Sequence, residues 1–280
     1  MKSLTVATIQ THPVFGHVEE NIEAALEFIP DDCDLAVLPE LFSTGYQFRD
    51  KTEAMGLAEE LTGNAETGAA TKRLTRAASE SGTTIVAGLA EKDGDRLFNS
   101  SVLFRPDGSR EIYRKVHLFM DEKSIFTPGD LGFPVFEACG TTIGMMICFD
   151  WIFPEAARSL ALAGAEIICH PSNLLLPWCQ AAMVTRCQEN MVHAVTSNRV
   201  GTENRTGTTD LGNSATEMIG GELVFSGRSQ IVEPQGNILS SLNATETGVA
   251  VATIQIVEKD KQFTQRNNLF EDRRPELYWS

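Results

Sequence analysis

The sequence predicts an α/β protein whose sheets are partly antiparallel. Short apolar β runs alternate with segments of helical spacing, a pattern typical of layered α/β architectures. Two Asp-Gly pairs, at Asp93-Gly94 and Asp107-Gly108, stand between β runs and indicate turns that join antiparallel strands. No linker or low-complexity stretch divides the 280 residues, so we expect a single domain over 1–280.

The predicted elements follow one another with short connections. A strand over 4–10 leads to a helix that Asn21 can cap, and Pro154 is a favoured first residue for a later helix. A Gly/Thr/Asn loop is expected over 202–213, and the charged, aromatic tail over about 262–280 is expected to dock on another surface. The same periodicities predict helices over 68–81 and 181–191, and strands over 35–38, 83–89, 96–104, 111–114, 143–147, 165–170, 195–200, 221–232 and 248–256.

Composition excludes several classes of function. The formal net charge of -15, with no local Lys/Arg cluster, argues against binding to nucleic acid or to anionic lipid. No apolar run is long enough to span a membrane, and the N-terminus lacks a signal-peptide pattern, so we expect a cytoplasmic protein. The six cysteines form no Cys-x-x-Cys pair, which argues against a disulfide framework or a structural zinc site, and no metal site is predicted.

Cys148 occupies the most informative position in the chain. It follows the apolar run 143–147 and precedes the helix predicted to start at Pro154. In open α/β sheets such a strand-to-helix junction faces the ligand crevice. The helix N-terminus favours an anion and would help to ionise the thiol. The pattern predicts a nucleophile, with a buried inert cysteine as the alternative.

Two other chemically useful residues follow strands in the same way. Glu40 follows the strand over 35–38, and Lys115 follows the strand over 111–114. We expect these strands and the strand before Cys148 to be neighbours. Residues at the same ends of neighbouring strands converge in space, so a thiol nucleophile, a base and an oxyanion-stabilising cation would come together. The alternative for Glu40 is a solvated loop acid.

The sequence resembles the nitrilase superfamily of carbon–nitrogen hydrolases. The segments that carry the resemblance come in family order and span nearly the whole chain: 38–46 (LPELFSTGY), 99–101 (NSS), 113–119 (YRKVHLF), 128–130 (PGD), 144–158 (GMMICFDWIFPEAAR), 170–173 (HPSN) and 198–201 (NRVG). The resemblance implies a four-layer αββα sandwich, homodimers or higher homo-oligomers, and a C-terminal tail that packs on a partner subunit. It implies no cofactor.

The resemblance also assigns roles at matching positions. Cys148 becomes the nucleophile, Glu40 the general base and Lys115 the oxyanion-stabilising cation. Glu122 matches a supporting carboxylate, with a surface loop acid as its alternative. Four further residues are assigned by the same match: the backbone N–H of Phe149 to the oxyanion hole, and Tyr46, Trp151 and Asn173 to substrate binding. Trp178 is a further candidate for the pocket.

The implied reaction is hydrolysis of a small aliphatic amide or N-carbamoyl compound through a cysteine thioester. Nitrile hydrolysis is the alternative. The sequence reads Cys148-Phe149-Asp150 where nitrilases typically carry Cys-Trp-Glu. Because Asp is one methylene shorter than Glu, we expect a carboxylate displaced from the position that a nitrile-derived intermediate needs, and hence a preference for amides.

Two rival functions remain at this stage. A Cys-His hydrolase could use His117 or His170, although the Cys-Gly-x-Cys-Trp context of papain-like enzymes is absent. A non-catalytic binding protein on the same fold is the second rival, and the presence of Glu40, Lys115 and Cys148 together argues against it. The substrate itself depends on loops around 42–51, 122–132 and 174–182 whose geometry the sequence does not give.

Overall fold

Two six-stranded mixed sheets form the centre of the molecule. The computed structural model describes residues 2–62, 68–205, 221–256 and 261–278. The strands are β1 (Lys2–Gln10), β2 (Leu35–Val37), β3 (Thr84–Asp93), β4 (Arg96–Phe104), β5 (Arg110–Arg114), β6 (Val135–Ala138), β7 (Thr141–Met145), β8 (Ile167–Pro171), β9 (His193–Ser197), β10 (Thr202–Asn204), β11 (Glu222–Val224), β12 (Gln230–Val232), β13 (Ile238–Ser241), β14 (Gly248–Ile256), β15 (Gln262–Thr264) and β16 (Asn267–Asn268).

The two sheets have the same plan. The first has the order β14-β1-β2-β3-β4-β5 and the second the order β13-β12-β9-β8-β7-β6. In each sheet three parallel strands, β1 to β3 or β7 to β9, lie at the centre, and antiparallel strands flank them. Parallel central strands end at one edge of their sheet, so residues that follow them gather at that edge.

Helices cover the outer face of each sheet. They are α1 (Val18–Leu26), α2 (Lys51–Leu57), α3 (Ala69–Ser81), α4 (Glu122–Ile125), α5 (Pro154–Leu162) and α6 (Cys179–Asn190), with 3-10 helices at Cys148–Ile152 and Pro275–Leu277. Apolar residues of α1 and α3 are buried with the first sheet, and those of α5 and α6 with the second. The predicted four-layer αββα sandwich is therefore confirmed.

Alternation along the strands explains why the layers stack in this way. In β1, Leu4 and Val6 belong to the core between the sheets, whereas Ala7 and Ile9 face the core beneath α1 and α3. Successive side chains of a strand point to opposite faces, so a strand that is apolar on both faces must be covered on both sides. The apolar runs 4–10 and 35–38 in the sequence reflect this double burial.

Several predicted elements are confirmed and a few are wrong. The hairpin between β3 and β4 closes at Gly94 and Asp95, as the Asp-Gly signal indicates. Asn21 does not cap α1: it lies inside the helix, where its side chain bonds to Val14 and to the carbonyl of Ser43. The run 221–232 forms two strands, β11 and β12, because the residues between them leave the extended ladder.

The remaining differences concern loops. The sequence analysis missed α2, and the polar loop after Asp121 contains α4. In the loop predicted over 202–213, Thr202–Asn204 forms β10, and residues 206–213 lie outside the described part of the chain. Within the described residues, no helix is both long enough and apolar enough to cross a membrane.

The described part of the C-terminal tail contacts its own subunit through Lys261 and Phe270. Lys261 Nζ donates to the carbonyl of Met191 at 2.8 Å, and the ring of Phe270 lies against the guanidinium of Arg158. Phe263 and Tyr278 remain 62% and 52% exposed. The packing of this tail on a partner subunit stays a prediction, and Trp279 lies outside the described residues.

Gly88 permits the approach of two segments that build the site. The N–H of Gly88 donates to the carbonyl of Pro39, and its carbonyl accepts from Phe42. A Cβ at position 88 would stand 2.4 Å from Cα of Glu40, a distance that Cβ atoms do not adopt. The loop that carries Glu40 therefore crosses β3 only because residue 88 is glycine.

We expect Gly88→Ala to destabilise the protein and to displace Glu40. The clash is with backbone, which cannot move aside as a flexible side chain does. Gly56→Ala is the matched control: Gly56 lies in α2 with open space around its Cβ position, so alanine there should raise stability by about 0.5–1 kcal/mol. Thermal unfolding of both variants measures the difference. Equal melting temperatures for the two would contradict the close-approach argument.

Candidate active site

Glu40 lies in the turn that follows β2. Its side chain is fully buried, so the alternative of a solvated loop acid is wrong. Burying an isolated carboxylate is costly, and the site compensates this cost with two charge-assisted hydrogen bonds. Lys115 Nζ and Asn99 Nδ2 both donate to Oε1 of Glu40, each at 2.7 Å.

Lys115 lies between two carboxylates. It follows β5, its side chain is fully buried, and Nζ also donates to Oε1 of Glu122 at 2.8 Å. Burial alone would lower the pKa of Lys115, but the charges of Glu122 and Glu40 outweigh it and hold the pKa above the ordinary lysine value. Lys115 is therefore an ammonium ion across the physiological pH range.

Glu122 is the first residue of α4 and is buried, so its alternative as a surface acid is also wrong. The hydroxyl of Tyr46 donates to its Oε1 at 2.7 Å, and the N–H of Phe119 donates to Oε2 at 3.1 Å. Burial raises the pKa of Glu122, the charge of Lys115 opposes this, and the charge of Glu40 adds to it. Tyr46 therefore reaches the cluster through Glu122.

Cys148 approaches this cluster from the second sheet. It begins the 3-10 helix Cys148–Ile152, which leads into α5 at Pro154 as predicted. Its φ of 41° lies in the left-handed region, which a non-glycine residue adopts only when its surroundings impose it. The expectation that the three functional residues follow neighbouring strands is wrong in one respect: Glu40 and Lys115 belong to one sheet and Cys148 to the other.

Asp150 imposes the backbone turn at Cys148. Its buried carboxylate accepts from the hydroxyl of Tyr113 at 2.7 Å and from the N–H of Ile147 at 2.9 Å. Its other oxygen accepts from the N–H of His117 at 3.1 Å and lies 2.8 Å from His117 Nδ1. With both oxygens bonded within the protein, Asp150 does not orient a substrate-derived intermediate. The predicted amide preference, which was argued from the length of this side chain, loses its basis.

Cys148 interacts electrostatically with both Glu40 and Lys115. Burial raises the pKa of its thiol well above the ordinary value, the charge of Glu40 raises it further, and the charge of Lys115 opposes this. The helix N-terminus does not ionise Cys148 at rest, contrary to the sequence-based expectation. A thiol that remains protonated needs a base to become a nucleophile, and Glu40 is the carboxylate whose charge acts most strongly on this thiol.

The two histidines near the elbow are not bases for Cys148. Nε2 of His170 lies 2.9 Å from the backbone carbonyl of Cys148, and burial lowers the pKa of this imidazole. His117 bonds to Asp150 and stacks on Phe153. Both histidines thus support the backbone of the elbow, and the geometry does not favour a Cys-His hydrolase.

A narrow cavity opens beside the thiol. Its volume is about 20 Å³, close to what one water molecule requires, and it is lined by Phe119, Cys148, Phe149, Trp151, Asn173, Leu174, Leu175 and Leu176. Trp151 and Asn173 thus line this cavity, and their role in substrate binding stays a prediction. Trp178 is 60% exposed and is not among the lining residues, which argues against the pocket role suggested for it.

Two polar groups in the cavity wall are suited to binding a ligand. Asn173 is buried, and neither polar atom of its side chain has a hydrogen-bond partner among the described residues. Phe149 is the second residue of the 3-10 helix, and the first N–H groups of a helix have no acceptor within it. Within the described ranges, no group of three or more His, Cys, Asp or Glu side chains could hold a metal ion.

The contacts of Asn99 and Asp150 within the site were not predicted from the sequence. A signal for Asn99 was present, because three polar residues, Asn99 to Ser101, interrupt an otherwise apolar β run and are all fully buried. Buried polar residues need partners, and such an interruption indicates a network. No comparable signal marks Asp150, whose partners Tyr113 and His117 are brought close only by the fold.

Comparison with known proteins agrees with this geometry. The profile of the carbon-nitrogen hydrolase family matches residues 5–260. A protein named nitrilase from Pyrococcus abyssi is 41% identical over 279 residues, which cover 98% of each chain. An (R)-stereoselective amidase from a Pseudomonas species is 35% identical over 74% of this chain and 68% of that protein.

Similarity extends to three-dimensional structure. The crystal structure of a carbon-nitrogen hydrolase from Helicobacter pylori G27 superposes with a TM-score of 0.85 at 26% identity, covering 99% of this chain and 97% of that one. Sequence profile, full-length relatives and architecture therefore agree, and the chain belongs to the carbon-nitrogen hydrolase family of the nitrilase superfamily.

Proposed function

We propose that this protein hydrolyses small aliphatic nitriles to a carboxylate and ammonia, with Cys148 as the nucleophile. The observation that supports hydrolysis is the buried Lys115, which bonds to both Glu40 and Glu122 and interacts electrostatically with the thiol of Cys148. The choice of a nitrile is supported by the 41% identity to a protein named nitrilase across nearly the whole of both chains. The narrow cavity supports a small, slender substrate, since a nitrile group is linear.

In the proposed reaction, Glu40 removes the thiol proton as Cys148 Sγ attacks the nitrile carbon. The electron pair of one C–N π bond moves to nitrogen, which takes the proton from Glu40 and gives a thioimidate. Lys115 stabilises the negative charge that develops on nitrogen. A water activated by Glu40 then adds to the thioimidate carbon.

The second half of the reaction releases both products. The tetrahedral adduct expels ammonia and leaves a thioester, and a second water, again activated by Glu40, cleaves the C–S bond. The sum is one nitrile plus two waters giving one carboxylic acid and one ammonia. During attack on the thioester the charge develops on oxygen, and we propose that Lys115 Nζ and the N–H of Phe149 stabilise it.

Hydrolysis of a small aliphatic amide is the second candidate function. The same residues serve it, because Cys148 attacks the amide carbonyl, ammonia departs, and the same thioester is hydrolysed by one water. The 35% identity to an (R)-stereoselective amidase favours this candidate, as does 33% identity to an N-carbamoylputrescine amidase from potato over 74% of this chain and 70% of that protein.

We expect Cys148→Ala to abolish turnover without unfolding the protein. Alanine removes the nucleophile and leaves the hydrogen bonds of Asp150, which impose the local turn, intact. Cys139→Ser is the matched control, since Cys139 is half-buried in the turn between β6 and β7 and outside the site. Ammonia release and thermal unfolding measure the two effects. Retained turnover in Cys148→Ala would end the proposal of covalent catalysis.

We expect Lys115→Ala to lower kcat by about 10²–10³, the usual cost of removing one oxyanion donor. Because the change also leaves two buried carboxylates without their cation, stability should fall as well. Glu122→Gln separates the loss of kcat from the loss of stability. Glutamine keeps the volume and an acceptor for Tyr46, so kcat should fall with a smaller loss of melting temperature than in Lys115→Ala. Lys123→Ala, at an exposed position in α4, is the control.

The substrate is tested by a paired comparison. We expect kcat/KM for a short aliphatic nitrile to exceed that for the amide of the same carbon skeleton, because the linear group fits the narrow cavity beside Cys148. Ammonia release, with the acid product identified by mass, measures both reactions. A ratio that favours the amide would make amide hydrolysis the main function. Absence of both activities, with Cys148 reactive and the fold intact, would contradict both candidates.

A further inference from the structure

We propose that Asn99 is a positioning residue that fixes the catalytic base and the cation relative to each other. The proposal rests on the function proposed above, because it concerns the same site. Asn99 is fully buried in β4, between β3 and β5. Its side chain bonds to Glu40, and its backbone bonds to Lys115.

Each of these two bonds is short and well defined. Nδ2 of Asn99 donates to Oε1 of Glu40 at 2.7 Å, and the carbonyl of Asn99 accepts from the N–H of Lys115 at 2.8 Å. An ionised carboxylate can only accept hydrogen bonds, so the amide atom that faces Glu40 must be the nitrogen. One rigid strand residue therefore holds both partners of the buried ion pair.

The bond from Asn99 also decides which carboxylate oxygen is free. Oε1 of Glu40 takes both donors, Asn99 Nδ2 and Lys115 Nζ, whereas Oε2 has no hydrogen-bond partner among the described residues. A carboxylate held only by the flexible lysine could rotate and present either oxygen. With Asn99 in place, Oε2 is the oxygen that receives the proton of Cys148.

A purely structural role would predict different behaviour. If Asn99 only stabilised the packing of β4, its loss would lower stability and leave kcat and the pH dependence of the folded protein unchanged. A positioning role predicts a loss in the proton-transfer steps and little change in substrate binding. It also predicts that the acid limb of the pH profile moves to higher pH, since one donor to the ionised carboxylate is lost.

The first experiment is Asn99→Leu, which keeps the approximate shape and removes the donor. Using the nitrile or amide that the wild type hydrolyses, we expect kcat to fall about 10- to 100-fold, as for loss of a charge-assisted hydrogen bond, with KM nearly unchanged. The acid limb of kcat/KM should move to higher pH. A fall in kcat/KM that comes from a higher KM with kcat unchanged, or an unshifted pH profile, would overturn the proposal.

Ser101→Ala is the matched control. Ser101 lies two residues along the same strand, so it shares the face of Asn99, is equally buried, and bonds through Oγ to Met145 Sδ at 3.3 Å. It does not bond to Glu40 or Lys115. We expect a loss of melting temperature without a shift in the pH profile. An equal shift of the pH profile in Ser101→Ala would show that the effect of Asn99→Leu comes from a general disturbance of β4. That result would contradict the proposal.

A second readout needs no substrate. Iodoacetamide alkylates a cysteine by forming a C–S bond as the C–I bond breaks, and the thiol proton of Cys148 leaves through Glu40. Peptide mass mapping should show slower alkylation of Cys148 in Asn99→Leu, with half-buried Cys139 unchanged as the internal standard. Slowed alkylation in a protein that hydrolyses neither nitriles nor amides would sustain the role of Asn99 and reject the proposed function. Unchanged alkylation would reject the role of Asn99.

A folding failure of Asn99→Leu does not remove the test. The pH profile and the alkylation rate are then measured on Asn99→Ser, whose side chain is too short for its hydroxyl to reach Oε1 of Glu40 directly. A wild-type pH profile and a wild-type alkylation rate in Asn99→Ser would overturn the proposal, and a shift with slowed alkylation would sustain it.

Discussion

The buried ion pair between Lys115 and two carboxylates is the constraint on which the site depends. Removing charges from water is costly, and such a group persists only when each charge is paired and hydrogen-bonded. Lys115 Nζ donates to both Glu40 and Glu122. Glu40 also accepts a hydrogen bond from Asn99, and Glu122 also accepts from Tyr46 and Phe119. One ammonium against two carboxylates leaves the cluster short of positive charge. This deficit helps to keep the nearby thiol of Cys148 protonated.

The sandwich architecture supplies the two sides of the site from different sheets. Glu40 and Lys115 follow β2 and β5 of the first sheet, and Cys148 follows β7 of the second. Different residues fix the backbone on each side of the site. On the first sheet, Gly88 admits the Glu40 loop and Asn99 holds both charged partners. On the second, Asp150 holds the turn at Cys148 through bonds to both the elbow and the segment after β5.

The places of Glu40, Lys115 and Cys148 after strand ends could be predicted from the sequence because they follow strong local signals. The β runs 35–38, 111–114 and 143–147 end shortly before Glu40, Lys115 and Cys148 and mark strand ends, and Pro154 marks the next helix. The direction in which a buried polar side chain points has no such signal. Asp150 was expected to face the substrate and instead holds the backbone. Asn21 was expected to cap a helix and instead bonds to Val14 and to the carbonyl of Ser43, a residue that only the fold brings close.

The charged cluster by itself does not distinguish a nitrile from an amide. In the proposed reaction, water addition to the thioimidate and thiol attack on the amide give the same tetrahedral adduct, with sulfur, nitrogen and oxygen on one carbon. From that adduct, loss of ammonia gives the thioester, whereas loss of the thiol from a nitrile-derived adduct gives the amide. Protonation of nitrogen favours loss of ammonia. In the proposed reaction Glu40 supplies that proton, which it has taken from the attacking water in the nitrile route or from the thiol in the amide route. Discrimination must therefore come from the shape of the wall that includes Trp151 and Asn173, because an amide group brings a second heteroatom into a cavity of about 20 Å³.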